Sequence, residues 1–146
     1  LLDYGAGKGR LAEALRGRIG RPVTVHPYDP AVPEWSAPPA PCRFVACIDV
    51  LEHVEPDRLD NVLDDLRRVT AGIGVFTVHT QPALKTLADG RNAHLIQQPL
   101  EWGRPKLEAR FDLLRVEALD GGFAAVVARR PPWWQRFLFR LAGLRN

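Results

Sequence analysis

Two spacings of apolar residues run along the chain and predict its elements. Apolar residues that recur every three or four positions predict helices at about residues 9–17, 56–71 and 100–110, with weaker helical character over 82–88. Continuous or alternating apolar runs are typical of strands. On this basis strands are predicted at residues 1–3, 23–28, 44–48, 74–80, 111–119 and 123–129.

The order of these elements predicts an α/β fold. We expect a Rossmann-like, mostly parallel sheet with helices on both faces. The turn at residues 120–122 is too short for a crossover helix, so the last two strands form a C-terminal antiparallel hairpin. Pro27 weakens its strand and favours a position near an edge. Five prolines disfavour regular elements over residues 30–42, so we expect the fold to be reduced there.

The first ten residues contain a glycine turn between a strand and a helix. Glycine permits the turn and lets a ligand approach the backbone closely. The glycines stand at positions 5, 7 and 9, whereas the dinucleotide fingerprint G-x-G-x-x-G needs a glycine where Arg10 stands. Asp3, just before the turn, suits a ligand with an ammonium group and repels a pyrophosphate. An NAD-dependent oxidoreductase is therefore disfavoured.

Aspartates stand at the ends of three of the predicted strands. Asp3, Asp29 and Asp49 each stand at a strand end, where ligands of open α/β sheets bind. A single aspartate there is weak evidence, since turns favour aspartate. Three of them beside a glycine turn indicate one binding crevice.

Two motifs carry a resemblance to a known family over roughly residues 1–130. The segment Asp3-Tyr4-Gly5-Ala6-Gly7-Lys8-Gly9 resembles the first motif of class I S-adenosylmethionine-dependent methyltransferases. The segment Ile48-Asp49-Val50-Leu51-Glu52-His53-Val54 is similar to the E-V-L-E-H-V form of ubiquinone-biosynthesis O-methyltransferases. The resemblance implies S-adenosylmethionine as cofactor. The proline-rich loop over 30–42 departs from the family, which often contacts adenine from that region.

The resemblance also implies roles for the residues at the crevice. Asp29 is expected to accept both ribose hydroxyls, and Pro30 to pack on adenine. Asp3 and the neighbouring backbone are expected to hold the methionine end. The resulting set of cofactor-binding residues is Asp3, Gly5, Ala6, Gly7, Gly9, Asp29, Pro30, Asp49, Val50 and His53.

Three histidines are candidates for work on the acceptor. A base helps when the methylated group is a hydroxyl or a protonated amine. His79 at a strand end and His94 in a polar loop are the catalytic candidates, ahead of His53, which suits a cap or a packing role under the cofactor. The alternative for each of them is a purely structural role. No second carboxylate is spaced to help Glu52 bind a metal, so no metal is expected.

The sequence therefore predicts methyl transfer to oxygen or nitrogen of a small-molecule or lipid-like acceptor. The alternative is a non-catalytic or degenerate S-adenosylmethionine-binding module. The thin 30–42 region and a chain that begins inside a strand motivate it, and we expect residues 1–130 to be an N-terminally incomplete domain.

The charge lies mainly at the C-terminus. Five arginines between residues 129 and 146 exceed the net charge of +3, so the rest carries a net charge of −2 and no nucleic-acid partner is expected. Residues 131–146 predict a basic aromatic helix, suited to peripheral membrane contact or a homodimer but more simply packed on its own domain. Its apolar face comprises Trp133, Trp134, Phe137, Leu138 and Leu141.

The cysteines and the absence of long apolar segments bear on localisation. Cys42 and Cys47 lie along one apolar strand, where a disulfide is disfavoured, so both are expected to be reduced. No signal peptide or transmembrane stretch is visible. We expect a cytoplasmic location by default.

Overall fold

A computed structural model of the chain describes residues 1–130. The predicted helix at 131–146 lies outside these residues and stays a prediction. The strands are β1 (Leu2–Tyr4), β2 (His26–Tyr28), β3 (Cys42–Ile48), β4 (Thr70–His79), β5 (Phe111–Leu119) and β6 (Gly122–Arg129). The helices are α1 (Leu11–Ile19), α2 (Leu59–Val69) and α3 (Leu100–Glu108), with 3-10 turns at Pro33–Trp35, Leu51–His53 and Pro56–Arg58.

The six strands form one sheet in the order β2-β1-β3-β4-β6-β5. The first four are parallel to one another, and β6 runs antiparallel between β4 and β5. The predicted mostly parallel sheet with a C-terminal antiparallel hairpin is confirmed. The strand with Pro27 is an edge strand, as predicted, because β2 pairs only with β1.

The core lies between one face of this sheet and the helices α2 and α3. The buried side of α2 is Leu59, Leu63, Leu66 and Val69. It meets a sheet face that includes the fully buried Phe76, whose ring packs edge-on against Phe111 at 5.4 Å between centroids. The spacing of these apolar residues on α2 is the helical period that predicts the element.

The opposite sheet face is more open. Phe44, Ile48 and Val75 on this face are exposed by 54%, 38% and 40%. Helix α1 lies beside this face, since Leu11 lines a cleft together with Ile48, yet α1 buries none of its residues. Helices therefore lie on both sides of the sheet, with the main core on the α2 side. Between β2 and β3 the chain forms only a short 3-10 turn, as the prolines predict.

The sequence misplaces the end of α2. The helix predicted over residues 56–71 should end just before Gly72, but α2 ends at Val69 and Gly72 lies inside β4. The hydroxyl of the buried Thr70 donates to the carbonyl of Leu66 at 2.7 Å, and the chain becomes extended there. A Cβ at Gly72 would lie 2.6 Å from the Arg43 carbonyl oxygen, so this glycine permits the close approach of β3.

The weak helical character expected over residues 82–88 is also wrong, because no helix forms there. The amide side chain of Asn92 accepts from the Ala83 N–H and donates to the Ala83 carbonyl, both at 2.9 Å. Thr86 forms an isolated bridge with Asn92. These bonds satisfy backbone groups that a helix would otherwise pair internally. The second strand is shorter than predicted, at three residues.

We expect Leu63→Ala to lower the free energy of unfolding by about 2–5 kcal/mol, because it leaves a cavity under the sheet. Leu63 is 1% exposed. Leu84→Ala is the matched control, since Leu84 is fully exposed and its truncation should change stability by less than about 0.5 kcal/mol. Urea denaturation of both variants measures the difference. Equal losses would contradict the placement of the core.

Candidate functional site

The carboxyl ends of the four parallel strands meet at one edge of the sheet. The glycine turn follows β1, Asp29 follows β2 and Asp49 follows β3. His79 is the last residue of β4. The structure therefore brings the glycine turn, the aspartates and one predicted catalytic histidine to the same edge.

The turn after β1 depends on glycine. Gly5, Gly7 and Gly9 all have positive φ angles, of 80°, 52° and 66°. A Cβ at Gly5 would lie 2.4 Å from a methyl group of Val50, so Val50 packs directly on the turn. The N–H groups of Gly5 and Ala6 both donate to the Tyr28 carbonyl, at 2.8 and 3.0 Å. These two amides are used inside the protein, and the methionine end predicted there would have to contact other groups of the turn.

Asp29 links the turn to the end of β2. One carboxylate oxygen accepts from the Gly7 N–H at 2.8 Å, and the other accepts from the Ala31 N–H at 2.9 Å. A carboxylate has about four lone-pair sites, so two acceptor positions remain for a ligand. Pro30 is exposed beside it.

Asp3 lies in a cleft of about 300 Å³ that opens beside the glycine turn. The other lining residues are Gly5, Ala6, Lys8, Arg10, Leu11, Ala14 and Ile48. The side chain is only 6% exposed. Burial, and next the negative charge of Asp29, raise the pKa of the Asp3 carboxyl above its usual range. A cationic group in the cleft would relieve both effects.

Asp49 has an unusual backbone conformation. Its φ angle of 53° is the one positive value outside glycine among residues 1–130. The Thr77 hydroxyl donates to its carboxylate at 2.6 Å, and the Asp49 N–H donates back to the Thr77 hydroxyl at 3.0 Å. The other carboxylate oxygen lies 3.7 Å from Nε2 of His79. Strained residues held by such bonds cluster at functional sites.

The three histidines nominated from the sequence lie together. The ring of His94 stacks on that of His79 at 5.7 Å between centroids and meets that of His53 edge-on at 4.9 Å. Nδ1 of His53 donates to the Ala93 carbonyl at 2.8 Å, and Nδ1 of His94 donates to the Gln81 carbonyl at 2.6 Å. Both rings are thus held in one tautomer by a backbone carbonyl.

Two neighbours of the site were not singled out as site residues from the sequence. Glu52 is fully buried, and one of its oxygens accepts from the His79 backbone N–H at 3.1 Å. Trp35 covers the glycine turn, because a Cβ at Gly9 would lie 2.8 Å from its ring. The motif that contains Glu52 and His53 could have identified Glu52 as a site residue. The proline-rich sequence around Trp35 gives no indication of where the Trp35 ring lies.

Residues 1–125 match the protein family described as a methyltransferase domain. The chain belongs to this family. A sequence comparison with curated proteins finds no significant match.

Solved structures share the fold of this methyltransferase domain. The DhpI complex with S-adenosylhomocysteine is 21% identical, with a TM-score of 0.60 over 90% of this chain and 76% of its own. The 1,6-didemethyltoxoflavin-N1-methyltransferase of Burkholderia thailandensis is 15% identical, with a TM-score of 0.60 over 89% of this chain and 70% of its own. Magnesium protoporphyrin IX methyltransferase from Synechocystis PCC 6803 is 16% identical, with a TM-score of 0.58 over 89% of this chain and 73% of its own.

The prediction of a class I methyltransferase is confirmed at the level of family and fold. The finer resemblance to ubiquinone-biosynthesis O-methyltransferases stays a prediction. Within residues 1–130, the methyltransferase domain has no helix that is long and apolar enough to cross a membrane.

Cys42 and Cys47 are both free thiols, and burial raises the pKa of the Cys47 thiol.

We expect Asp3→Asn to raise the free energy of unfolding of the methyltransferase domain at pH 7. The folded protein raises the pKa of the Asp3 carboxyl, so the ionised form costs stability above that pKa. The gain should shrink as the pH falls through that pKa. It should vanish below about 4, where the unfolded chain is protonated too.

Urea denaturation between pH 7 and pH 4 measures this dependence. Asp57→Asn is the matched control, because the Asp57 side chain is 75% exposed and its neutralisation should give no comparable gain. A less stable Asp3→Asn protein at pH 7 would contradict the cost assigned to the buried carboxylate.

Proposed function

We propose that this domain transfers a methyl group from S-adenosylmethionine to oxygen or nitrogen of a small-molecule or lipid-like acceptor. The observation that carries the proposal is the edge where a glycine turn and three aspartates lie beside a group of histidines. The glycine turn and the aspartates, called the cofactor half, suit an adenosyl amino acid. The histidines, called the acceptor half, suit proton transfer.

The cofactor half is built from complementary charges. The ammonium group of the methionine end pairs with Asp3. Burial raises the pKa of the Asp3 carboxyl, and a bound cation would stabilise its ionised form. The ribose hydroxyls donate to the free lone pairs of Asp29, and adenine packs near Pro30. Asp49 and Val50 close the crevice from β3, and His53 flanks it. Neighbouring structures crystallised with S-adenosylhomocysteine support this cofactor.

The acceptor half needs alignment more than activation. The sulfonium of S-adenosylmethionine is already a good methyl donor, so the protein has to align the acceptor atom and exclude water. His79 is the proposed base, because Asp49 lies 3.7 Å from its Nε2 and stabilises the imidazolium that forms. His94 stacks on His79 and forms the adjoining wall of the acceptor pocket.

The partners follow from the same site. A small-molecule acceptor is proposed to bind beside His79 and His94, and the net negative charge outside residues 129–146 disfavours nucleic acid. Membrane contact or a homodimer through residues 131–146 stays a prediction, since these lie outside the described residues. A cytoplasmic location stays a prediction too.

Calorimetric titration with S-adenosylhomocysteine, with NAD as the control, tests the cofactor. Binding of S-adenosylhomocysteine alone supports the proposal, and binding of NAD alone overturns it. Turnover of S-adenosylmethionine with a mixed pool of hydroxyl and amine acceptors then tests catalysis. Binding without any turnover would favour the non-catalytic module instead.

We expect Asp29→Ala to weaken S-adenosylhomocysteine binding by about 1–3 kcal/mol, because it removes charged hydrogen bonds to the ribose and the bond that holds the Gly7 N–H. Calorimetry measures the change, and Asp57→Ala, which removes an exposed carboxylate from the 3-10 turn before α2, should bind as the parent does. Unchanged affinity in Asp29→Ala would remove Asp29 from the site.

We expect His79→Ala to lower kcat by about 10²–10⁴-fold while the affinity for S-adenosylhomocysteine changes little, because a base acts in the chemical step. His26→Ala is the matched control, since His26 is an exposed histidine on the edge strand β2. Parallel turnover and calorimetry separate the two effects. A His79→Ala enzyme with the parent's kcat would exclude the role of base.

A further inference from the structure

Three side chains from two distant segments converge beside His79. Glu52, His53 and His94 each place one nitrogen or carboxylate oxygen so that the three atoms lie within 4.8 Å of one another. Glu52 and His53 belong to the 3-10 turn after β3, whereas His94 comes from the loop before α3. The fold supplies this set, because His94 lies more than forty positions along the chain from Glu52 and His53.

The buried carboxylate of Glu52 is incompletely paired. Glu52 is 0% exposed, and its second oxygen, Oε2, is the one buried side-chain polar atom in residues 1–130 without a hydrogen-bond partner. Buried polar atoms are almost always paired, so an unpaired one needs an explanation such as an ion or a water molecule. A cation at Oε2 would satisfy it.

The two histidines have the bonding of metal ligands. A histidine that binds a metal almost always donates its other ring N–H to a carboxylate or a backbone carbonyl. His53 and His94 both do so through Nδ1, to the carbonyls of Ala93 and Gln81. Each therefore keeps a lone pair on Nε2. The Glu52 side chain is fixed in the same way, by the His79 N–H on its other oxygen.

We propose that Glu52, His53 and His94 bind a divalent first-row metal ion, with zinc as the best match. Two imidazoles and one carboxylate suit zinc, while magnesium and calcium prefer oxygen ligands alone. The donors of a tetrahedral zinc site are about 3.4 Å apart, so the three atoms have to approach one another by at most about 1.4 Å. The exposed His53 ring makes that movement at the rim without disturbing the core.

The expectation of no metal rested on carboxylate spacing along the chain. The donor set here uses one carboxylate and draws its second histidine from another loop, which spacing does not reveal. The structure thus brings together three ligands whose proximity the sequence does not show.

The site has a place for an acceptor atom. Three protein ligands leave at least one coordination position open. An acceptor oxygen bound there would lie beside the stacked rings of His79 and His94 and would lose its proton more readily. This role rests on the proposed function, whereas metal binding itself does not.

Titration of the chelator-treated full chain with cobalt chloride tests the site without cofactor or acceptor. Bound cobalt with nitrogen ligands gives visible absorption, and zinc chloride should displace it. Zinc should also raise the melting temperature, and a chelator should reverse the shift. We expect one metal ion per chain.

Variants assign the ligands. His53→Gln combined with His94→Gln should weaken metal binding by roughly tenfold or more. His26→Gln should leave it unchanged. Glu52→Gln keeps the shape and the acceptor for the His79 N–H, and should also weaken binding. Since buried Glu52 variants risk misfolding, circular dichroism of each protein accompanies the titration, and the histidine pair decides alone if Glu52→Gln does not fold.

Absence of cobalt absorption and of a zinc-dependent thermal shift in the folded parent would overturn the proposal. Parent-like binding in the histidine pair would overturn it too, because the metal would then lie elsewhere. If the parent protein binds metal but does not bind S-adenosylhomocysteine, the proposed function is refuted and the metal site is retained.

Discussion

The parallel pairing of β1 with both β2 and β3 is the constraint on which the site depends. Because these strands and β4 all run the same way, the residues that follow them arrive at one edge of the sheet. The glycine turn, Asp29, Asp49 and His79 come from separate parts of the chain. Hydrogen bonds between neighbouring strands bring them to this edge, where Asp29 bonds to the glycine turn and Asp49 lies beside His79.

That edge lowers the stability of the domain in exchange for binding. Burial raises the pKa of the Asp3 carboxyl, and Asp49 has a positive φ angle that residues other than glycine seldom adopt. Other interactions offset both unfavourable features. The core under α2 stabilises the sheet, and the Thr77 hydroxyl bonds to the Asp49 carboxylate. Unfavourable features of this kind concentrate where a ligand is to be bound.

Features set by residues close together in the sequence could be predicted, whereas contacts between distant segments could not. Apolar period predicted the helices and strands, and local turn chemistry predicted the glycine turn and the hairpin. The weak helical character expected over residues 82–88 is wrong because the Asn92 amide side chain binds the Ala83 backbone in place of helical hydrogen bonds. The covering of Gly9 by Trp35, and the approach of His94 to His53, depend on contacts between distant segments. No periodicity along the chain encodes those contacts.

The place of β6 in the sheet has a consequence for how the chain is made. β6 is the last strand in the described sequence, yet it lies between β4 and β5 and pairs with β4 over seven residues from Ile73 to His79. During synthesis the edge of β4 stays open until residues 122–129 have emerged from the ribosome. The nascent domain therefore exposes this apolar strand edge from the emergence of β4 until that of β6, and during that interval it is open to pairing with other chains.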